Sequence, residues 1–341
     1  MRWGYRVFHL ELKHPFGISR SSITTQRTLI VSLEQDEIQG IGEATENAYY
    51  DVSIEKMTTR LEQIGDKISN YKMDTPEDFW NYLLPLLRDL PFLHCAIDEA
   101  AWDLYGKMKK MPTHRIWGLD PYASLPVSNF TIALDDIDVM KDKIAEQPWP
   151  LYKIKLGTPG DIDIIEALRS VTDVPFRVDA NAAWTADESI RMSHLLKKLN
   201  VEFIEQPMPA DAWDEMKEVY AKSALPVIAD ESCRGLADVS RCQGRFDGIN
   251  IKLVKAGGLT PARNMILEAK KLGLKTMVGC MTESSVGISA IAQLLPYLDY
   301  VDMDGALLLK RDIADGVQVT EQGIEWREDR WGNGVRLVPD A

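Results

Sequence analysis

The sequence predicts a parallel (β/α)8 barrel preceded by an α+β unit, on three observations. After Pro121, eight short apolar runs alternate with helical stretches. Three of those runs end in a carboxylate, Asp179, Glu205 and Asp230, at intervals of 26 and 25 residues, about one strand-plus-helix unit each. The first 115 residues lack this rhythm and carry β-type runs followed by a helical block.

In chain order, residues 2–13, 27–34 and 40–43 read as strands of a small antiparallel sheet, punctuated by Gly and acidic residues. Residues 14–22 read as a loop. The pattern turns helical over residues 53–110. Asp74-Thr75-Pro76-Glu77 is a helix-start signal with an acidic first turn. Residues 95–105 form a helix with small residues for close packing. The eight runs then cover 127–133, 151–156, 176–179, 203–205, 227–230, 248–253, 276–280 and 300–303. The stretches between them have helical periodicity, as at Ile162, Ile165, Leu168 and Val171. In the tail, residues 316–319 and 323–326 read as strands returning to the N-terminal sheet. The chain thus divides into an α+β unit over 1–115, a barrel over 120–311 and a returning segment over 312–341.

Bulk properties exclude several classes. The 341 residues carry 39 basic and 52 acidic side chains, a formal charge of -13, which argues against nucleic acid or anionic membrane as partners. No apolar stretch approaches the roughly 18 residues of a membrane span. The polar-interrupted start reads as strand, not signal peptide. Cys95, Cys233, Cys242 and Cys280 are too scattered for a disulfide framework and read as thiols of a cytoplasmic protein.

The candidate chemistry lies at the strand ends. On parallel barrel strands Asp179, Glu205 and Asp230 share one face and form an oxygen set for a hard divalent cation. Mg2+ fits that set, and Mn2+ could replace it. Asn181 and Glu231 stand beside these acids as further ligand or cap candidates. Lys153 and Lys155 alternate on one strand, so both point to the same face. Ile154 must face the helices, which turns both lysines inward. Buried ammonium groups need nearby anions, and the acid triad supplies them. Lys252 ends its own run in the same way. The set suits removal and return of a proton on carbon beside a carboxylate. Asp302 and Asp304 share a face at the eighth run, exceed what a metal needs, and invite a substrate ammonium group. Gly257-Gly258 reads as a tight turn.

Taken together, Lys153-Ile154-Lys155, Asp179-Ala180-Asn181, Glu205-Gln206-Pro207, Asp230-Glu231-Ser232 and Lys252 to Gly258 resemble the enolase superfamily, in its muconate-lactonizing subgroup, over nearly the whole chain. The resemblance implies a modified TIM-type (β/α)8 barrel under an α+β capping domain, with Mg2+ on Asp179, Glu205 and Asp230. It implies Lys155 and Lys252 as an acid–base pair, with Lys153 as electrostatic helper. Within the superfamily, Asp302-Met303-Asp304 is similar to the motif with which dipeptide epimerases of the L-Ala-D/L-Glu type hold the dipeptide's α-ammonium. Residues 279–285, with Glu283, Ser284 and Ser285, resemble the loop that faces the substrate carboxylate. Arg20 stands where Glu-specific members carry a cation. The implied reaction is a 1,1-proton transfer through a metal-stabilised enolate, which epimerises the second residue of a small dipeptide in peptidoglycan peptide recycling. Two other readings stay open: an o-succinylbenzoate synthase or muconate cycloisomerase reaction on the same scaffold, and a metal-dependent barrel that binds without turnover. A homo-oligomer is compatible with the sequence.

Overall fold

The computed structural model describes residues 1–18, 21–120, 124–327 and 329–339. β1 (Arg2–Ile18), β2 (Ser21–Gln35) and β3 (Ile38–Thr45) form one antiparallel sheet in that order. Alternation along β2 buries Leu29, Val31 and Leu33 on one face. The loop expected over residues 14–22 is largely strand. The pairing of β1 with β2 shifts register between Glu11 and Phe16, then resumes with Phe16 opposite Ile23. A bulge on an edge strand accommodates Pro15, whose missing N–H costs nothing there.

α1 (Ile54–Ser69), α2 (Pro76–Leu87) and α3 (Pro91–Lys109) follow. Thr75 caps α2 by accepting from the Asp78 N–H, and Glu77 and Asp78 fill the first turn. α3 is buried along most of its length. It lies so close to β3 that a Cβ on Gly42 would strike the Ala96 carbonyl and sit 2.6 Å from the Ala100 nitrogen. Both obstacles are backbone, which cannot step aside. Gly42→Ala is therefore expected to lower the unfolding free energy by about 1–3 kcal/mol, the usual cost of overpacking. Chemical denaturation checks this, as a lower midpoint at unchanged slope.

α4 (Thr113–Ile116) leads into the barrel. The strands are β4 (Phe130–Ile132), β5 (Tyr152–Lys155), β6 (Phe176–Asp179), β7 (Val201–Glu205), β8 (Val227–Ala229), β9 (Gly248–Lys252), β10 (Lys275–Gly279) and β11 (Tyr300–Asp302). They form one eight-stranded sheet in sequence order, with every described pairing parallel. Each of the eight apolar runs contains or overlaps one of them. Ser128, just before β4, bridges Val301 of β11 in parallel, which brings the first and last strands together. Around the outside run α5 (Ile137–Glu146), α6 (Asp161–Arg169), α7 (Ala186–Lys197), α8 (Glu215–Lys222), α9 (Leu236–Cys242), the short α10 (Leu253–Ala256), α11 (Leu259–Lys271) and α12 (Ser285–Ala292). The final strand is followed by a 3-10 turn over Gly305–Leu308 instead of a full helix. The barrel is modified in that sense.

The tail strands pair with each other. β12 (Ala314–Asp315) joins β15 (Arg336–Leu337), and β13 (Gln318–Thr320) joins β14 (Gly323–Glu325). Neither pair extends the three-stranded sheet. The tail meets the N-terminal unit at α3, where the Asn333 N–H donates to Asp103 Oδ1 at 2.9 Å.

Two buried acids tie the N-terminal unit to the starts of barrel helices. Asp98 of α3 accepts from the Thr260 N–H and hydroxyl, each at 2.8 Å, in the first turn of α11. Glu43 of β3 accepts from the N–H groups of Ser284 and Gly287 at the start of α12, at 3.1 Å. Carboxylates there satisfy orphan donors and oppose the positive end of the helix dipole. Among the described residues no helix is long and apolar enough to cross a membrane.

Candidate active site

The acids come first, because strand geometry brings them together. Asp179 ends β6, Glu205 ends β7 and Asp230 follows β8 directly. Parallel neighbours end on one face, and ligand oxygens of the three lie within 4.8 Å of one another, all buried. Each acid has one oxygen held by the protein. Asp179 Oδ1 accepts from the Asn181 N–H at 2.9 Å, and Glu205 Oε1 from Asn250 Nδ2 at 2.8 Å. Asp230 Oδ1 accepts from Lys255 Nζ, which also donates to the Asp230, Cys233 and Asn250 carbonyls. The second oxygens of Asp179 and Asp230 meet lysines, Asp179 Oδ2 accepting from Lys155 Nζ at 2.7 Å and Asp230 Oδ2 lying 2.9 Å from Lys252 Nζ. Glu205 Oε2 is buried without a hydrogen-bond donor, although Lys153 Nζ lies 2.7 Å away outside bonding angles. Three buried carboxylates whose oxygens converge within 4.8 Å, with Glu205 Oε2 lacking a donor, fit a hard divalent cation such as Mg2+.

The electrostatics carry the same mark. Burial, reinforced by the Asp179 charge, pushes the Glu205 carboxyl up to about 7. Burial alone would raise Asp179 too, but Lys155 and Lys153 outweigh it and hold that carboxyl at about 2. A cation at the centre would oppose both effects on Glu205 and favour its charged carboxylate. The backbone around these acids is unusual: Asn181, Ala182 and Gln206 have φ of 46°, 64° and 34°. Gln206 Oε1 accepts from the Asp230 and Ser232 N–H groups at 2.9 and 3.0 Å, so its side chain holds the next strand end in place.

The lysines flank the triad. Lys153 and Lys155 both point inward from β5 and are buried. Lys155 Nζ reaches Asp179 Oδ2 at 2.7 Å on one side. From β9, Lys252 Nζ reaches Asp230 Oδ2 at 2.9 Å on the other. Burial would lower the Lys252 ammonium, but Asp230 and other nearby anions raise it above its usual value. Lys153 sits deeper and touches Asp179, Glu205 and Asp302 at 3.3, 2.7 and 2.8 Å. It neutralises charge between two acidic groups and is fully buried.

Asp302 and Asp304 form the third edge, and they are not equivalent. Asp302 receives Asn129 Nδ2 on Oδ1 at 2.8 Å and Lys153 on Oδ2. Burial opposes its ionisation, but Lys153 overcomes that and lowers its pKa. Asp304 accepts from the Thr131 N–H on Oδ2, while the contact at its Oδ1 is Cys280 Sγ at 3.8 Å. Burial and the Asp302 charge push Asp304 up to about 7. Among the ion pairs of the described residues, Lys153 on Asp302 is the one that this acid pair makes.

A cavity of about 810 Å³ joins these groups. Lys153, Lys155, Asp230, Lys252, Asp302 and Asp304 line it from the barrel. Phe16, Ile18, Ile23 and Tyr50 line it from the N-terminal unit. Glu283, Ser284 and Ser285 do not face it among the described residues. Glu283 accepts from the Met281 N–H, the Ser284 hydroxyl donates to Glu43, and the Ser285 hydroxyl donates to Asp312. Cys280, Met281 and Thr282, just before them, line the wall instead. Arg20 lies outside the described residues. Lys255 is the buried anchor of Asp230, and Glu231 lines the cavity beside it. Asn250 and Asn129 were not singled out from sequence. Strand alternation offered the signal, since Asn250 shares a face with Lys252 and Asn129 with Thr131.

Comparison with known proteins agrees with this geometry. A family model described as mandelate racemase / muconate lactonizing enzyme, N-terminal domain, matches residues 4–118, and one described as enolase C-terminal domain-like matches residues 136–341. An L-Ala-D/L-amino acid epimerase from a Maribacter species is 52% identical over 99% of each chain. An L-Ala-D/L-Glu epimerase from Bacteroides thetaiotaomicron is 38% identical over 99% of this chain and 88% of its own. Among solved structures, a dipeptide epimerase from Enterococcus faecalis complexed with Mg and the dipeptide L-Leu-L-Tyr superposes with a TM-score of 0.90, at 26% identity and 98% coverage of both chains. The strand-end carboxylates, the flanking lysines and these matches place the chain in the enolase superfamily, in its mandelate racemase and muconate lactonizing enzyme branch.

Proposed function

We propose that the protein is a Mg2+-dependent dipeptide epimerase that inverts the second residue of L-Ala-X dipeptides by 1,1-proton transfer. The observation that carries the reading is the placement of Lys155 and Lys252 on opposite flanks of Asp179, Glu205 and Asp230 in one cavity. Inversion at carbon needs one group on each face, and a racemising pair must exchange roles between directions. Asp179, Glu205 and Asp230 would hold the metal. When bound there, it supplies Lewis-acid stabilisation of the negative charge that develops on the substrate carboxylate as the α-proton leaves.

The side chains do the rest. One lysine, neutral, takes the α-proton through Nζ, and the other, protonated, delivers one to the opposite face. Lys153 stays charged, buffering the triad and Asp302. Asp302 and Asp304 fix the α-ammonium of the first residue. That subsite supports epimerisation over cycloisomerisation or o-succinylbenzoate formation, whose substrates carry no ammonium. Asp304 Oδ1, met only by the weak donor Cys280 Sγ at 3.8 Å, gives the ammonium its place. Peptidoglycan peptide recycling and a cytoplasmic location complete the reading, the latter supported by the four free cysteines.

Identity of X is set by the capping side. Names of the two relatives differ here, one broad and one for Glu. Arg20, by resemblance, is the residue that would select Glu through a bidentate contact. Incubation with L-Ala-L-X dipeptides, followed by chiral separation, tests the proposal. L-Ala-D-X products are expected for the wild type, with Ala-Glu preferred over Ala-Leu. Arg20→Ala should narrow that preference roughly 10-fold or more, the scale of one lost charge-assisted hydrogen bond. No inverted product from any dipeptide would refute the epimerase reading; an unchanged Glu:Leu ratio would remove only the role of Arg20.

A further inference from the structure

Behind the ammonium subsite stands a polar relay that does not line the cavity. Asn129 is fully buried just before β4. Its Nδ2 donates to Asp302 Oδ1 at 2.8 Å, and its Oδ1 accepts from Arg177 Nη1 at 3.3 Å. Arg177 is itself fixed. It donates to the Val301 carbonyl at 3.0 Å through Nη1 and to Glu202 Oε2 at 3.0 Å through Nε. Its guanidinium lies 5.2 and 5.1 Å from the ring centres of Phe203 and Tyr300.

This arrangement determines which way the amide points. An arginine has only donors, so it must meet the carbonyl oxygen of Asn129. The amide nitrogen is thereby turned to Asp302, which as a carboxylate has only acceptors. With Lys153 on Oδ2 and Asn129 on Oδ1, both oxygens of Asp302 are held by donors, and its rotamer is set before any substrate arrives. Preorganisation of this kind is what gives a charged subsite its selectivity.

We propose that Asn129 is a positioning residue for the ammonium subsite, holding Asp302 in the orientation that receives the substrate's amino group. The inference rests on the assignment of Asp302 and Asp304 to that group. It acts through Asp302 and touches neither substrate nor metal.

The test uses the intact Mg2+-loaded enzyme and two substrates, L-Ala-L-Glu and its des-amino analogue N-propionyl-L-Glu. Following kcat/KM in wild type, Asn129→Ala, Asn129→Ser and Asp302→Asn separates the roles. Asn129→Ala is expected to lose roughly 10- to 100-fold on the free-amine dipeptide, the range for one hydrogen bond to a charged group. The des-amino analogue should change less than about 3-fold, since its subsite is already empty of charge. Asn129→Ser, smaller and still polar, guards against a variant that does not fold, and far-ultraviolet circular dichroism verifies both. Equal losses on the two substrates, or no loss on either, would overturn the positioning role while Asp302→Asn still discriminates. If Asp302→Asn itself fails to discriminate, the assignment of the ammonium subsite falls, and the role of Asn129 falls with it.

Discussion

Lys155→Ala and Lys252→Ala should each reduce epimerisation by about 10³-fold or more, near the upper part of what a positioned acid or base contributes. The expectation follows from their opposed contacts, Lys155 on Asp179 and Lys252 on Asp230, across one buried centre. On the proposed mechanism neither can replace the other, because each would serve only one face of the same carbon. The pair should also fail asymmetrically. Each variant retains the lysine of one face, so each should still exchange the α-proton of a single epimer with solvent, and the two variants should exchange opposite epimers. Proton NMR in D2O with the separated epimers reads this directly. Lys255 is the natural control. It is buried nearby, but its Nζ donates to three backbone carbonyls as well as to Asp230, so it has no freedom to meet a substrate. If the Lys252 variant epimerised normally, the assignment of the second base would be wrong.

Chelation should abolish turnover, and Mg2+ should restore it. Removing a proton beside a carboxylate places a second negative charge on a group that already bears one. The lysines cannot absorb that charge, since one of them is neutral in each direction. Lewis-acid stabilisation worth several kcal/mol is therefore missing without metal, which corresponds to a loss on the order of 10³-fold or more. Asp230→Asn and Glu205→Gln should lose activity similarly. Their metal affinity, measured by calorimetry, should fall as well. Asn250→Ala should weaken metal binding by about 10- to 100-fold, as expected when a group that orients a ligand is removed. Full activity in metal-free protein would contradict the proposed chemistry.

The sequence made some of this legible because strand parity is a local property. Eight apolar runs marked eight strands, and the alternation Lys153-Ile154-Lys155 was enough to turn two ammonium groups inward. The strand ends at Asp179, Glu205 and Asp230 followed from the same regularity. Contacts made across the barrel were harder to read. Asn129 and Asn250 are polar residues inside strand runs, and their partners Asp302 and Glu205 lie 173 and 45 residues away. Glu283, Ser284 and Ser285 were expected at the substrate because residues 279–285 resemble the loop that faces the substrate carboxylate. Their polar groups are engaged elsewhere: the Ser284 hydroxyl and N–H donate to buried Glu43, the Ser285 hydroxyl donates to Asp312, and Glu283 accepts from the Met281 N–H. The continuation of β1 through Pro15 depends on a bulge that no local signal announced. The tail strands were correctly placed as strands, but which partner each chose depended on surfaces formed elsewhere.

The central claim is transfer of a proton out on one face and in on the other at a single carbon. It is tested most directly by incubating the Mg2+-loaded wild-type enzyme with L-Ala-L-Glu in D2O, stopping early, and locating deuterium by NMR and mass spectrometry. The account predicts L-Ala-D-Glu carrying one deuterium at the α-carbon of the second residue, with the α-carbon of alanine unlabelled. An inverted product that retains protium at that carbon, or no deuterium in any dipeptide recovered, would contradict it.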